Sequence, residues 1–108
     1  MPRPDLPPAV AEFFAATNAA DRDRFLATFA EDAVLDDWGR QFDGREAIAQ
    51  WNETDNIGVS SQIAVVGVQR EGDAYRAEIQ VTGDGYNGGG AMTFQLDDGR
   101  IARVDITG

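Results

Sequence analysis

The chain has 108 residues, with 9 Lys+Arg against 19 Asp+Glu and a formal net charge of −10. Histidine and cysteine are absent, and so is lysine, because every basic residue is arginine. These absences exclude Ser-His-Asp and Cys-His nucleophiles, lysine Schiff bases and disulfide frameworks, and leave no Cys/His ligand set for structural zinc.

Carboxylates, tyrosine, arginine and bound water remain for acid–base chemistry. The length fits a single domain over 1–108, with its core in about 6–106. A chain of this size buries roughly 65% of its unfolded surface. Hydrophobic residues make up 43% of the chain, the proportion of a globular protein. The acidic balance opposes nucleic acid or an anionic membrane as partner. No stretch reaches the ~20 apolar residues of a membrane span. Met1-Pro2-Arg3-Pro4 leads into no apolar segment, so no secretory leader is expected and the expected location is cytoplasmic.

Pro7 and Pro8 suit a first helical turn. Val10, Phe13, Phe14 and Thr17 then follow helical spacing, so a helix is predicted to end near Asn18. Asp21 can cap a second helix, with Phe25, Leu26 and Phe29 as its apolar stripe. Ala33 to Trp38 reads as a strand that turns at Gly39 and returns through Gln41-Phe42. Asp43 and Glu46 have the spacing of a capping box for a third helix, whose inner face is Ala47, Ile48 and Trp51.

After Gly58 the period changes to two. Ile63 to Val68 is apolar on both parities, which predicts a strand covered on both faces. Tyr75, Ala77, Ile79 and Val81 alternate with polar residues, as do Met92, Phe94 and Leu96, and then Ala102, Val104 and Ile106. Turns are expected at Glu71-Gly72-Asp73 and Asp98-Gly99, and a hairpin at Asn87-Gly88. Helices first and a strand meander after them predict an α+β fold. A curved antiparallel sheet wrapping three helices would form a cone with a cavity at its open end.

Phe13 to Asp21, Phe29-Ala30-Glu31-Asp32-Ala33, and Phe42 to Ile48 followed by Trp51 resemble the nuclear transport factor 2-like superfamily. The resemblance is closest to its SnoaL-like and ketosteroid-isomerase-like branch and covers about residues 6–106. It implies the cone fold and leaves activity open, since one fold hosts isomerases, cyclases, epoxide hydrolases and non-catalytic domains. It also implies a base at Asp37. The isomerase branch's two oxyanion donors fall on Phe13 and Met92, which donate no hydrogen bond, and losing one such donor costs ~10²–10³ in rate. A competent ketosteroid isomerase is therefore not expected. The epoxide-hydrolase branch needs an Asp-Arg-Asp set facing the cavity. Arg103 and Asp105 have the opposite parity to Val104 and Ile106 and are expected outside.

Asp37 is accordingly the candidate catalytic residue. Neighbouring strand residues face opposite ways, so either Asp37 or Asp36 points inward, the other solvating the turn. Phe13, Phe14, Trp38, Trp51, Tyr86, Met92 and Phe94 are candidate substrate-binding residues, each with an ordinary core or surface role as its alternative. The Gly83–Gly90 loop reads either as a lid carrying Tyr86 or as a hairpin tip. No cofactor and no metal is expected.

The favoured function is a cofactor-free isomerase- or cyclase-type enzyme in which Asp37 acts as general acid/base on an apolar cyclic or polyketide-like substrate. The alternative is a non-catalytic domain that binds a hydrophobic ligand or dimerises. The expected partners are an apolar small molecule and a second copy of the chain, docked through the polar outer sheet face.

Overall fold

A computed structural model describes residues 6–108. Met1-Pro2-Arg3-Pro4, read above for a leader, lies outside the described residues. The elements run α1 (Pro8–Asn18), α2 (Arg22–Ala27), β1 (Phe29–Asp37), β2 (Arg40–Asp43) and α3 (Gly44–Asp55). A 3-10 turn (Ile57–Val59) follows, then β3 (Gln62–Glu71), β4 (Ala74–Thr82), β5 (Gly88–Asp97) and β6 (Arg100–Thr107). The strands form one six-stranded sheet in the order β2-β1-β6-β5-β4-β3, with β2 and β3 at its edges. The helices and this open, curved sheet make the α+β cone.

The helices start and stop where side-chain chemistry directs. α1 buries Val10, Phe13, Phe14, Ala16 and Thr17 and has proline in its first turn. Asp21 caps α2 by accepting the Arg24 backbone N–H at 3.1 Å. Phe29 is fully buried, as its stripe position implied, but it belongs to β1, which starts four residues before the predicted strand. Asp43 occupies the N-cap of α3 without a side-chain capping bond, and its Oδ1 accepts from Gln41 Nε2 at 2.9 Å instead. The capping box therefore does not form.

The sheet departs from simple alternation at its bulges. β3 is not covered on both faces, because a register shift between Val65 and Gly67 lets both parities carry apolar residues. Ile63 and Val68 are buried on either side of it, and Val66 is left 63% exposed. A second shift between Gln95 and Leu96 pairs Leu96 with Ile101, so Ile101 is buried and Ala102 only half-buried. The meander β3–β6 is antiparallel, whereas β1 pairs with β6 in parallel. The sheet is thus mixed rather than wholly antiparallel.

The core is aromatic. The Phe13 ring lies 5.0 Å from Phe25, 5.1 Å from Phe94 and 5.2 Å from Phe14. Tilted and edge-on contacts of this kind add to the stabilisation from burial. This cluster fills the space between the helices and the sheet. The unfilled remainder is the cavity described next.

Candidate functional site

A cavity of about 240 Å³ opens among α3, the 3-10 turn and the inner face of the sheet. Its apolar wall is Ile63, Ile79, Val81, Met92 and Ile106, one or two residues from each of β3 to β6. Its polar side is Asp37, Arg40, Trp51, Asp55, Asn56 and Ser61. A mostly apolar pocket with a few convergent polar groups is the usual form of a small-molecule site.

Asp37 ends β1, directly before the two-residue turn Trp38-Gly39. Both turn residues have positive φ, 55° and 90°, the condition for a tight hairpin that matches the strand twist. Such a turn places the flanking residues opposite each other, and Asp37 pairs with Arg40 in the ladder. The Arg40 guanidinium donates to Asp37 Oδ2 at 2.6 Å and also to Asp55 Oδ2. Trp51, one turn before Asp55 on α3, donates its indole N–H to the same Asp37 oxygen at 3.0 Å. Two donors therefore share Oδ2, and Oδ1 accepts no hydrogen bond from the described residues. Only 13% of the Asp37 side chain is exposed, against 58% for Arg40. Hydrogen bonds to Asp55 first and Asp37 second hold the Arg40 guanidinium above its ordinary pKa.

The sequence-predicted residues divide into two groups. Asp37, Trp38, Trp51, Tyr86 and Met92 all line the cavity. Asp36 turns away from it and accepts the Gly39 N–H at 2.8 Å. Phe13, Phe14 and Phe94 do not line the cavity, because they pack against one another in the filled core. Trp38 stands 66% exposed at the rim and Tyr86 56% exposed.

The loop before β5 is stapled. Asn87 binds Gly83 through both its amide oxygen and its nitrogen and also reaches the Gly85 carbonyl, while Asp84 N–H donates to Val59 O at 2.8 Å. The Tyr86 hydroxyl donates to Gly89 O at 2.6 Å. Residues 83–87 are thus the five-residue tip of the antiparallel β4–β5 hairpin, the second of the two readings of this loop, with Gly88 opening β5.

Arg103 and Asp105 form a bidentate pair with each other at 2.9–3.1 Å and do not line the cavity. An Asp-Arg-Asp set nevertheless faces the cavity, and it is Asp37–Arg40–Asp55. Its sequence signal was the Asp-Trp-Gly-Arg turn, in which residues three apart become cross-strand partners. Asp55, Asn56 and Ser61 carried no comparable signal. Among the described residues, no group of three or more carboxylates is arranged to hold a metal ion, and no helix is long and apolar enough to cross a membrane.

The family model for the SnoaL-like domain matches residues 10–104. A candidate polyketide cyclase from Sinorhizobium meliloti is similar at 32% identity and TM-score 0.87, over 95% of this chain and 96% of that one. The Δ5-3-ketosteroid isomerase of Mycobacterium sp. is similar in fold at 18% identity and TM-score 0.79, over 93% of this chain and 89% of that one. A Mycobacterium tuberculosis protein solved with estradiol-17β-hemisuccinate is also similar in fold, at 17% identity and TM-score 0.78, over 91% of this chain and 88% of that one. No curated protein matches the chain.

Proposed function

The chain belongs to the SnoaL-like, ketosteroid-isomerase-like branch of the nuclear transport factor 2-like superfamily, and from that footing we propose that it converts an apolar cyclic or polyketide-like small molecule without a cofactor. Asp37 is the general acid/base. The observation that carries this reading is the clamped carboxylate: Trp51 and Arg40 hold Oδ2, while Oδ1 has no partner among the described residues and Asp37 lines the cavity. A carboxylate fixed at one oxygen presents the other to substrate in a single orientation, which is the geometric requirement for proton transfer. The S. meliloti relative's cyclase description agrees with this class.

The test is a thermal-shift screen of apolar cyclic and polyketide-like compounds, followed by turnover of the hits by wild type and Asp37→Asn. The expected result is that both proteins bind and only wild type converts, with a loss of about 10²–10⁴ in the variant, the usual contribution of a general base. Equal turnover by Asp37→Asn overturns the assignment.

A second reading, binding without turnover, is favoured by the absence of donors at Phe13 and Met92, where the isomerase branch carries them. Binding by both proteins with conversion by neither is its signature. Either reading includes a homodimer through the outer sheet face, which sedimentation equilibrium tests, and a protein of the cytoplasm formed as one domain.

A further inference from the structure

Ser61 lines the cavity, is only 3% exposed, and its hydroxyl makes no hydrogen bond to the described residues. Its backbone N–H donates to Asn56 O at 3.1 Å, so the two residues belong to one turn. Asn56 is 2% exposed and also lines the cavity. The Asn56 amide group is oriented by its neighbours. Thr17 Oγ1 donates its single proton to Phe13 O at 2.8 Å, so it can only accept from Asn56 Nδ2, which lies 3.2 Å away. The same nitrogen donates to Asn52 Oδ1 at 3.0 Å. Both Asn56 protons are therefore used on the protein side, and Oδ1 accepts no hydrogen bond from the described residues.

Among the described residues, no fully enclosed side-chain nitrogen or oxygen lacks a partner. The unpaired Ser61 Oγ and Asn56 Oδ1 must therefore touch open space, and both residues line the cavity. One is a hydroxyl that can donate, and the other is an oxygen that can only accept. The group that satisfies both at once is one that accepts and donates, which a hydroxyl does and a ketone or ether does not. A carboxylate is disfavoured by Asn56 Oδ1 and by the nearby Asp37 and Asp55.

We infer that Ser61 and Asn56 form a second polar subsite, separate from Asp37, which selects neutral, mostly apolar ligands bearing a hydroxyl group. This deepens the pocket reading above and rests on it.

The test uses three probes of one bicyclic skeleton: 2-tetralol, 2-tetralone and tetralin. Binding to the intact chain is followed by the fluorescence of Trp38 and Trp51, both in the cavity wall, and by calorimetry. Wild type is expected to bind 2-tetralol at least about tenfold more tightly than 2-tetralone or tetralin, as one satisfied buried donor–acceptor group warrants. Ser61→Ala is expected to lose that preference. Equal affinity of wild type for all three probes overturns the subsite and leaves the pocket reading intact. Retention of the preference by folded Ser61→Ala also overturns it. Binding of none of the probes defeats the subsite and the pocket reading together. Should Ser61→Ala fail to fold, Ser61→Cys, nearly isosteric and a much weaker donor, takes its place with the same two outcomes.

Discussion

Trp51 and Asp37 come from α3 and the end of β1, fourteen positions apart, and meet through a 3.0 Å bond from the indole nitrogen to Oδ2. The Trp51 ring stacks on Phe25 at 6.4 Å, so the donor is anchored in the core and the acceptor takes its direction from it. The same bond ties α3 to the strand that carries the candidate base.

Trp51→Phe keeps an aromatic ring on Phe25 and removes the donor. The expected loss of stability is about 1–2 kcal/mol, the range for a hydrogen bond to a charged group at a partly exposed site. Urea denaturation followed by circular dichroism measures it. Turnover of a substrate found by screening is expected to fall at least about tenfold, through kcat more than KM, because a carboxylate held by the exposed Arg40 alone samples unproductive orientations.

Gly58 lies in the 3-10 turn, where an added Cβ would sit 1.6 Å from the Glu53 carbonyl oxygen. Backbone cannot swing aside as a side chain can. Gly58→Ala is expected to destabilise by roughly 2–4 kcal/mol, as overpacking against a fixed neighbour does. It is also expected to weaken cavity ligands, since Asn56 and Ser61 flank the turn. A melting temperature within 2 °C of wild type, by an estimated ~4–8 °C per kcal/mol, would contradict this.

Phe13→Tyr places a hydroxyl at the position where the resemblance puts an oxyanion donor of the isomerase branch. Here Phe13 is fully buried among Phe14, Phe25, Phe29 and Phe94 and does not line the cavity. The expected outcome is a destabilisation of about 1–3 kcal/mol from an unpaired buried hydroxyl, with no gain of Δ5-3-ketosteroid isomerisation. Denaturation and the ultraviolet assay for the conjugated ketone read the two halves of this prediction.

Glu12 is held below its ordinary value of 4.5 chiefly by the Arg24 hydrogen bond, and Glu53 likewise by Arg22. Because the folded value lies below the unfolded one, the unfolded chain binds more protons as the pH falls. The stabilisation is therefore present above pH 4.5 and is lost as pH drops through the folded value. Urea midpoints of wild type and Glu12→Gln, taken from pH 7 to pH 3, are expected to converge on the acid side. A gap that widens with acid would reverse the sign. Both carboxylates are on the surface, so added salt is expected to shrink the gap at pH 7.

Much of the fold is written in local periodicity. The α1 stripe, the Asp21 cap and the alternation of β4 each state their burial without reference to distant residues. The place of Asp37 in the cavity wall was legible as well, because a strand end before a tight turn and the resemblance to a known family converge on it. Phe13, Phe14 and Phe94 misled for a physical reason. Apolar composition marks a residue as inside the cone without telling the packed part of the interior from the empty part.

What the chain determined by itself is therefore the order of the elements, the apolar faces and the subtraction of histidine, cysteine and lysine that leaves carboxylates, tyrosine, arginine and bound water for acid–base chemistry. Tertiary structure alone decided the rest. The bulges in β3 and between β5 and β6 reassign parity over a few residues, and parallel pairing sets β1 beside β6. The crossing of α3 over the sheet then draws Asp55, Asn56 and Ser61 to the cavity containing Asp37 and Arg40. Isolated polar residues have no period, so the site they share exists only once packing has made them neighbours.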